Sequence, residues 1–374
     1  MMKRILYICS EPDFGMATFA ASIVRAASKS KSLDVYAITI DSEHSLYRTY
    51  LKDLPEDRMH FLQTPNSKIK KYINKFYAVE ILREVKKIIN VHKIDVIHLL
   101  TYDYTCSLIF FKLKNIASVY YTVHDLVPHE IAYTGIKDYI ITNYLRWGDK
   151  RNTRKADCLV TNSQNQFESI KSIYPQKTVY FQLFPSLTMS SILSGEKICP
   201  EIIHLGKYIL FFGRLEKYKG VEYLCEAFKN NKNLHNYHLV IAGKGIIYFP
   251  QTNDPRIIFI NRFIDDGEVK SLFTKASCVV YPYISATQSG VLSLAYKLQT
   301  PVLVSDIPYF REVANEKCCM FFKPADANDL SKKLEQLLFH SNLNDMKEAQ
   351  RVFYDNNYSE NALVSSTEKL YTTI

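Results

Sequence analysis

YILFFGRLEKYKG, residues 208–220, opens with five largely apolar, strand-like residues, Tyr208 to Phe212. A Gly213-Arg214 pair follows, then Lys219-Gly220, then the amphipathic run VEYLCEAFK from Val221. That order predicts a buried strand, a tight loop and a helix. Arg214 and Lys219 fall just past the strand's carboxyl end, where ligands sit in open α/β sheets. Two fixed cations beside a helix start suit a diphosphate, with Arg as a planar fork and Lys as a point charge. Taken alone, the spacing also fits an ordinary βα loop with two solvated cations.

The pattern repeats outward from this stretch. Downstream, YHLVIAGKG (237–245), RIIFINRFID (256–265), CVVYPY (278–283) and TPVLVSD (300–306) read as strands. Helical runs separate them at 265–276, 284–298 and 327–339, and YSENALVSSTEKLYTTI (358–374) reads as a closing helix. Upstream, ILYICS (5–10), DVYAITID (34–41), DVIHLLT (95–101), SVYYTVHD (118–125), CLVTNS (158–163) and KTVYFQLFPS (177–186) alternate with helices in the same way. Each half is therefore expected to be a parallel α/β unit. The aperiodic segment 187–207, with its Ser, Gly and Pro, is the expected boundary, so the domains are placed at 1–190 and 191–355, with 356–374 as the last helix. A chain of 374 residues is long enough for two such cores.

The composition is that of a soluble globular protein, with 47% hydrophobic and 23% charged residues. Eight cysteines are scattered without a C-x2-C pair and read as reduced thiols, not as a disulfide frame or zinc site. The N-terminal apolar run is strand-length, and no run of about 18 apolar residues occurs. A cytoplasmic protein is expected, one that can lie peripherally at the inner face of a membrane. The net charge of +9 is uneven: residues 1–200 hold 27 Lys+Arg against 19 Asp+Glu, and residues 201–374 hold 20 against 19. An anionic partner would meet the first half first. Two basic stretches stand out there, 66–90 and 141–157, and both are candidate contacts with an anionic membrane surface. The first is amphipathic and equally fits a helix packed on its own sheet. No nucleic-acid motif accompanies the charge, so nucleic acid is not an expected partner.

Other polar groups gather at strand ends. The loop at Gly15 follows the first strand and leads into a helix, an opening for a ligand's polar end. No G-x-G-x-x-G follows that strand, which argues against a standard dinucleotide site. His98 lies within a strand and reads as a satisfied core histidine. His124-Asp125 closes a strand, where a histidine can bond a substrate hydroxyl or move a proton.

Taken together, FFGRLEKYKGVEYLCEAF (211–228), LVIAGKG (239–245), YPYISATQSGVLSLAY (281–296), TPVLVSDIPYFREV (300–313) and YTVHDLVPHE (121–130) resemble the family 4 glycosyltransferases. The resemblance implies a GT-B fold: two facing Rossmann-like domains with parallel sheets and a C-terminal helix crossing back to the first domain. It implies a retaining, metal-independent hexosyl transfer from a nucleotide-sugar, such as a UDP- or GDP-sugar, with no cofactor. The second domain would bind the donor and the first the acceptor, a glycan or lipid-linked glycan of polysaccharide biosynthesis. Carried onto this sequence, Arg214 and Lys219 would neutralise the donor diphosphate, and His124 would face the transferred sugar. Gln288, Ser289, Gly290 and Val291 would present backbone N–H groups to the phosphates. Arg262 and Phe263 would line the base, and Gly15 and Gly213 would border the diphosphate. Glu312 would contact the donor or orient the short helix at 308–314.

One departure is large. The family pattern has two glutamates eight positions apart, and these positions hold Ala286 and Leu294 here. A subgroup with an ATQSG-type loop shares the loss. It leaves ribose recognition open, and with it the alternative of a non-catalytic GT-B protein that binds a nucleotide-sugar as the partner of another transferase. An epimerase or phosphorylase fits less well, since neither the carboxylates nor a lysine-bearing cofactor motif can be placed.

Overall fold

The computed structural model describes residues 2–9, 14–41, 47–63, 67, 79–101, 116–126, 135–250, 253–286 and 289–372. The chain divides into two compact units, Met1–Pro185 with Glu360–Ile374, and Ser186–Ser359.

The first unit is built on seven parallel strands. They are β1 (Lys3–Cys9), β2 (Leu33–Asp41), β3 (Met59–Gln63), β4 (Val96–Leu99), β5 (Ser118–Thr122), β6 (Cys158–Thr161) and β7 (Thr178–Phe181). Their order is β3-β2-β1-β4-β5-β6-β7, which puts the reversal of winding between β1 and β4. The helices used below are α1 (Phe14–Lys29), α2 (Val79–His92), α3 (Ile136–Lys155) and α4 (Gln164–Ile173). Successive residues of β1 serve opposite faces of the sheet. Ile5, Tyr7 and Cys9 pack with Phe19, Ile23 and Val24 of α1. Leu6 and Ile8 pack with Leu82, Val85 and Ile88 of α2. Burial on both faces is why the strand reads as an unbroken apolar run.

Helix α2 settles part of one expectation. Its apolar residues Leu82, Val85, Ile88 and Ile89 lie in the core, so within 79–92 the stripe is consumed by the fold and is not left for a lipid surface. Lys68, Lys70, Lys71 and Lys75 lie outside the described residues.

The second unit has six parallel strands: β8 (Lys207–Phe212), β9 (Tyr237–Ala242), β10 (Ile257–Ile260), β11 (Cys278–Tyr281), β12 (Val302–Ser305) and β13 (Met320–Phe322). Their order is β10-β9-β8-β11-β12-β13, with the reversal between β8 and β11. Its helices are α5 (Val221–Asn230), α6 (Asp266–Thr274), α7 (Val291–Lys297), α8 (Pro308–Val313), α9 (Ala327–Glu335) and α10 (Leu343–Asn357). Helix α6 opens with a full capping box, Asp265 and Glu268 each bonding the other's backbone N–H. The architecture is two Rossmann-like α/β units. The short edge strands β3 and β13 and the polar helix α10 are absent from the sequence reading, because none has a sustained apolar period.

The last helix, α11 (Glu360–Thr372), belongs to the first unit. Leu363, Leu370 and Tyr371 enter its core, and Glu360 pairs with Arg25 and Lys29 of α1. Lys3 donates to the Tyr371 carbonyl at 3.0 Å, and Gln182 donates to Thr367 at 2.9 Å. His98 is fully buried beneath it. Its ring nitrogens meet the Tyr371 hydroxyl at 2.5 Å and the Thr122 hydroxyl at 2.8 Å. This is the satisfied core histidine expected from its place in a strand. The divisions fall at 185/186 and 359/360, whereas composition places them near 190 and 355. The offset has a cause. Ser186 and the Leu187 N–H both bond the Ser293 hydroxyl at 3.1 Å, and Tyr354 and Tyr358 are core residues of the second unit.

Candidate functional site

The ends of β8 and β9 set the geometry in the second unit. The Gly213 N–H donates to the Ala242 carbonyl at 3.0 Å, and the Leu215 N–H donates to the Lys244 carbonyl at 3.1 Å. The two loops therefore run side by side beyond the strands. Gly213 and Gly243 have φ of 149° and 142°, and a Cβ on Gly243 would lie 2.1 Å from the Gly213 oxygen. Only glycine permits both the conformation and the approach. Asn261 braces the second loop by accepting from the Gly245 N–H and donating to its carbonyl, each at 3.0 Å.

The two cations of this loop differ sharply. The Arg214 side chain is 77% exposed and reaches Glu216 at 3.2 Å. Lys219 is only 7% exposed. Its Nζ lies 5.5 Å from the centre of the Tyr283 ring and 5.8 Å from that of Tyr218. It would stand 3.1 Å from a Cβ on Gly213. Among the described residues Lys219 forms no ion pair, because Glu216 is turned to Arg214. Burial brings the Lys219 ammonium down to about 8, against an upward pull from Glu216. A buried ammonium without a counter-ion, beside two glycine loops, is a place for an anion to bind.

The segment after β11 is placed differently from the expected phosphate cradle. The Ser289 N–H donates to the Tyr309 hydroxyl at 3.0 Å, and that hydroxyl donates to the Ser289 carbonyl at 2.6 Å. This amide is already engaged by a side chain. Gly290 has a packing reason to lack a side chain, since a Cβ there would lie 2.4 Å from Leu187 Cγ. Val291 begins α7, whose seven residues bury Leu292, Leu294 and Tyr296. Gln288 lies outside the described residues. Leu294 is a core residue and Ala286 packs against the same core. Neither position offers a polar group to a ribose. Glu312, half-buried on α8, lies close enough to Tyr309 and Tyr358 to add to the burial that pushes both phenols up.

Arg262 is held away from ligand duty. Its guanidinium bonds Glu201 at 2.8 Å and Glu268 at 2.8 Å. That bonding holds Glu201 down at about 2. Cys199, Glu201 and Glu268 bring ligand-type atoms within 4.8 Å of one another, but the Arg262 guanidinium supplies the positive charge to this cluster. A metal ion there would displace it. Phe263, next along, presents an exposed ring. The loop at 261–263 thus presents the Phe263 ring, while the Arg262 charge is taken up by Glu201 and Glu268.

In the first unit the strand-end pair His124-Asp125 follows β5. His124 Nε2 donates to the Leu100 carbonyl at 2.7 Å, and its ring sits edge-on to Phe19 at 4.9 Å. Gln166 of α4 ties this loop down from both ends. Its amide nitrogen donates to the His124 carbonyl at 2.8 Å and its oxygen accepts from the Leu126 N–H at 2.6 Å. Nearby, Asp149 of α3 accepts from the Tyr121 hydroxyl, and burial raises its carboxyl to about 6. Sequence reasoning misses Gln166 and Asp149, because neither lies at a strand end. Gly15 falls in the first turn of α1.

Residues 206–340, which lie wholly in the second unit, match the family model described as glycosyl transferases group 1. An uncharacterized glycosyltransferase of Methanocaldococcus jannaschii is 27% identical over 256 residues, 63% of this chain and 65% of that protein. An uncharacterized 41.2 kDa protein in the cps region of Klebsiella pneumoniae is 24% identical over 226 residues, 58% of this chain and 62% of that protein. The match thus spans less than two thirds of either relative. HepE of Anabaena, solved in complex with UDP-glucose, superposes with a TM-score of 0.68 at 13% identity, over 99% of this chain and 100% of that one. The chain has the GT-B fold.

Proposed function

We propose that the protein is a glycosyltransferase that uses a nucleotide-sugar donor, whose diphosphate binds at the ends of β8 and β9. The observation that carries this reading is Lys219, a buried ammonium with no counter-ion among the described residues. Arg214, exposed on the same loop, is free to fold onto a phosphate by exchanging Glu216 for it. When the bond from the sugar's anomeric carbon to the diphosphate breaks, negative charge gathers on the leaving oxygen. The buried Lys219 and the recruited Arg214 stabilise that charge more in the transition state than in the ground state. They supply what a divalent cation would, so the transfer is proposed to be metal-independent; retention at the anomeric carbon is proposed on the resemblance to the family 4 glycosyltransferases alone.

The match of residues 206–340 to group 1 glycosyl transferases supports the donor assignment. UDP-glucose in the HepE structure supports a UDP-sugar among the candidates. His124, fixed by the Leu100 carbonyl and by Gln166, is proposed to contact the transferred sugar, and the first unit to bind the acceptor. The cps-region relative supports a surface-polysaccharide or lipid-linked acceptor. Phe263 is proposed to stack on the base. Without carboxylates at 286 and 294, ribose recognition falls to other groups, and this same loss favours the second reading, a non-catalytic nucleotide-sugar-binding partner.

A thermal-shift screen against UDP, GDP, ADP, CMP and dTDP, alone and as sugar conjugates, tests the donor site. A ligand that binds only the folded state raises the melting temperature. One nucleoside diphosphate is expected to give a clear rise that Lys219→Met abolishes. No rise with any of them, from folded protein, would remove the donor assignment.

A further inference from the structure

Helix α3 presents two very different faces. The inner one holds Gly148, Asn152 and Thr153, all buried, and Asp149 bonded to Tyr121. The outer one carries Ile136, Ile140 and Trp147, which are 82%, 61% and 50% exposed. These positions are spaced by four and seven residues, so they share one helical face. The same face continues into Lys150, Arg151 and Arg154, with Lys155 beside them. The Arg151 guanidinium lies 5.0 Å over the Trp147 ring, and Tyr144 packs 5.8 Å from that ring. Among the described residues Lys150, Arg154 and Lys155 form no ion pair.

An exposed surface that runs from isoleucine through tryptophan to lysine and arginine has a specific physical fit. Indole rings settle at the boundary between headgroups and acyl chains. Aliphatic side chains gain by entering it, and cations gain from anionic headgroups. A nucleic acid would satisfy the cations but leave Ile136 and Ile140 in water. Helix α2 is the internal contrast, because it also carries lysine and arginine but spends Leu82, Val85, Ile88 and Ile89 on the core.

We propose that the outer face of α3 docks on an anionic lipid bilayer. Ile136, Ile140 and Trp147 enter the headgroup boundary, and Lys150, Arg154 and Lys155 meet lipid phosphates. Among the described residues no helix is long and apolar enough to cross a membrane, so this contact lies along the surface. The proposal stands apart from the donor assignment, since no residue of the β8 loop takes part.

Trp147 is the chain's one tryptophan, so intrinsic fluorescence reports on this face directly. The full chain is titrated with vesicles of phosphatidylcholine alone and with vesicles that include phosphatidylglycerol. Emission is expected to shift to the blue with the anionic vesicles only, and the shift to be reversed by high salt. Lys150→Ser with Arg154→Ser is expected to weaken vesicle affinity by roughly fivefold per cation. Lys86→Ser on α2 is expected to leave it unchanged, and circular dichroism checks that each variant is folded. No blue shift, an equal shift with neutral vesicles, or a larger response to a single-stranded oligonucleotide would each overturn the proposal.

Discussion

Replacing Lys219 with methionine keeps an unbranched chain of similar length and removes only the ammonium. Burial lowers this ammonium from its ordinary 10.5 to about 8. That displacement corresponds to roughly 3 kcal/mol of destabilisation wherever the folded lysine is charged. The sign follows from proton counting. Below about pH 8 the lysine is protonated in both folded and unfolded chains, and the folded chain bears the full cost. Between about 8 and 10.5 the folded lysine is neutral and the unfolded one still protonated, so wild-type stability rises with pH across that window. Lys219→Met has no such dependence. At pH 7, without nucleotide, the variant is therefore expected to be more stable than wild type by up to about 3 kcal/mol, an advantage that shrinks above pH 8. It is also expected to bind nucleoside diphosphate roughly 10- to 150-fold more weakly, the loss of one charge-assisted contact. Urea denaturation at pH 7 and pH 9 reads the first effect, and isothermal titration reads the second. A variant that is less stable than wild type at pH 7 yet binds nucleotide normally would refute the reasoning.

Three further outcomes follow from individual contacts. Arg214→Ala is expected to weaken diphosphate binding by at least roughly tenfold while leaving the melting temperature unchanged, because the side chain is exposed; titration calorimetry and a melting curve on one sample check both. Gly290→Ala is expected to destabilise the second unit by roughly 1–3 kcal/mol through collision with Leu187; adding Leu187→Ala should recover part of that loss in a double-mutant cycle, and simple additivity would count against the packing explanation. His98 is held at about 3 by burial, below its ordinary 6.5, so the unfolded chain takes up a proton first as pH falls. Wild-type stability should therefore decline as pH drops from 6.5 towards 3, and His98→Phe should flatten that slope while lowering stability at pH 7 by leaving the Tyr371 and Thr122 hydroxyls unpaired. Urea midpoints at pH 5 and pH 7 separate the two effects.

The βα units were legible because each strand end carries its own local signal. The run from Tyr208 to Gly220 shows strand, glycine and helix within a few residues, and His98 reads as a core residue from its place in an apolar strand. What remained hidden depends on partners far along the chain. Nothing local distinguishes Lys219 from Arg214, yet one is buried between two tyrosines and the other is exposed. Arg262 looks like a ligand residue until Glu201, 61 positions away, is brought against it. One partner of His98 is Tyr371, 273 positions later. Gly290 invites a functional reading, but Leu187 accounts for its missing side chain. The exposed face of α3 was visible only as a basic stretch, because exposure of Ile136 and Ile140 is decided by which side of the helix the sheet takes.

We propose that the β8 loop holds the diphosphate of a sugar donor during transfer. Phosphorus NMR of the purified chain, incubated with UDP-, GDP- and dTDP-sugars, tests it most directly, with the proton coupling at the anomeric carbon of the released or transferred sugar followed in the same tube. Release of nucleoside diphosphate from one donor class is expected, with retained anomeric configuration and with loss of release in Lys219→Met. Release that is undiminished in Lys219→Met, or no release from a donor that the folded wild-type chain binds, would contradict it.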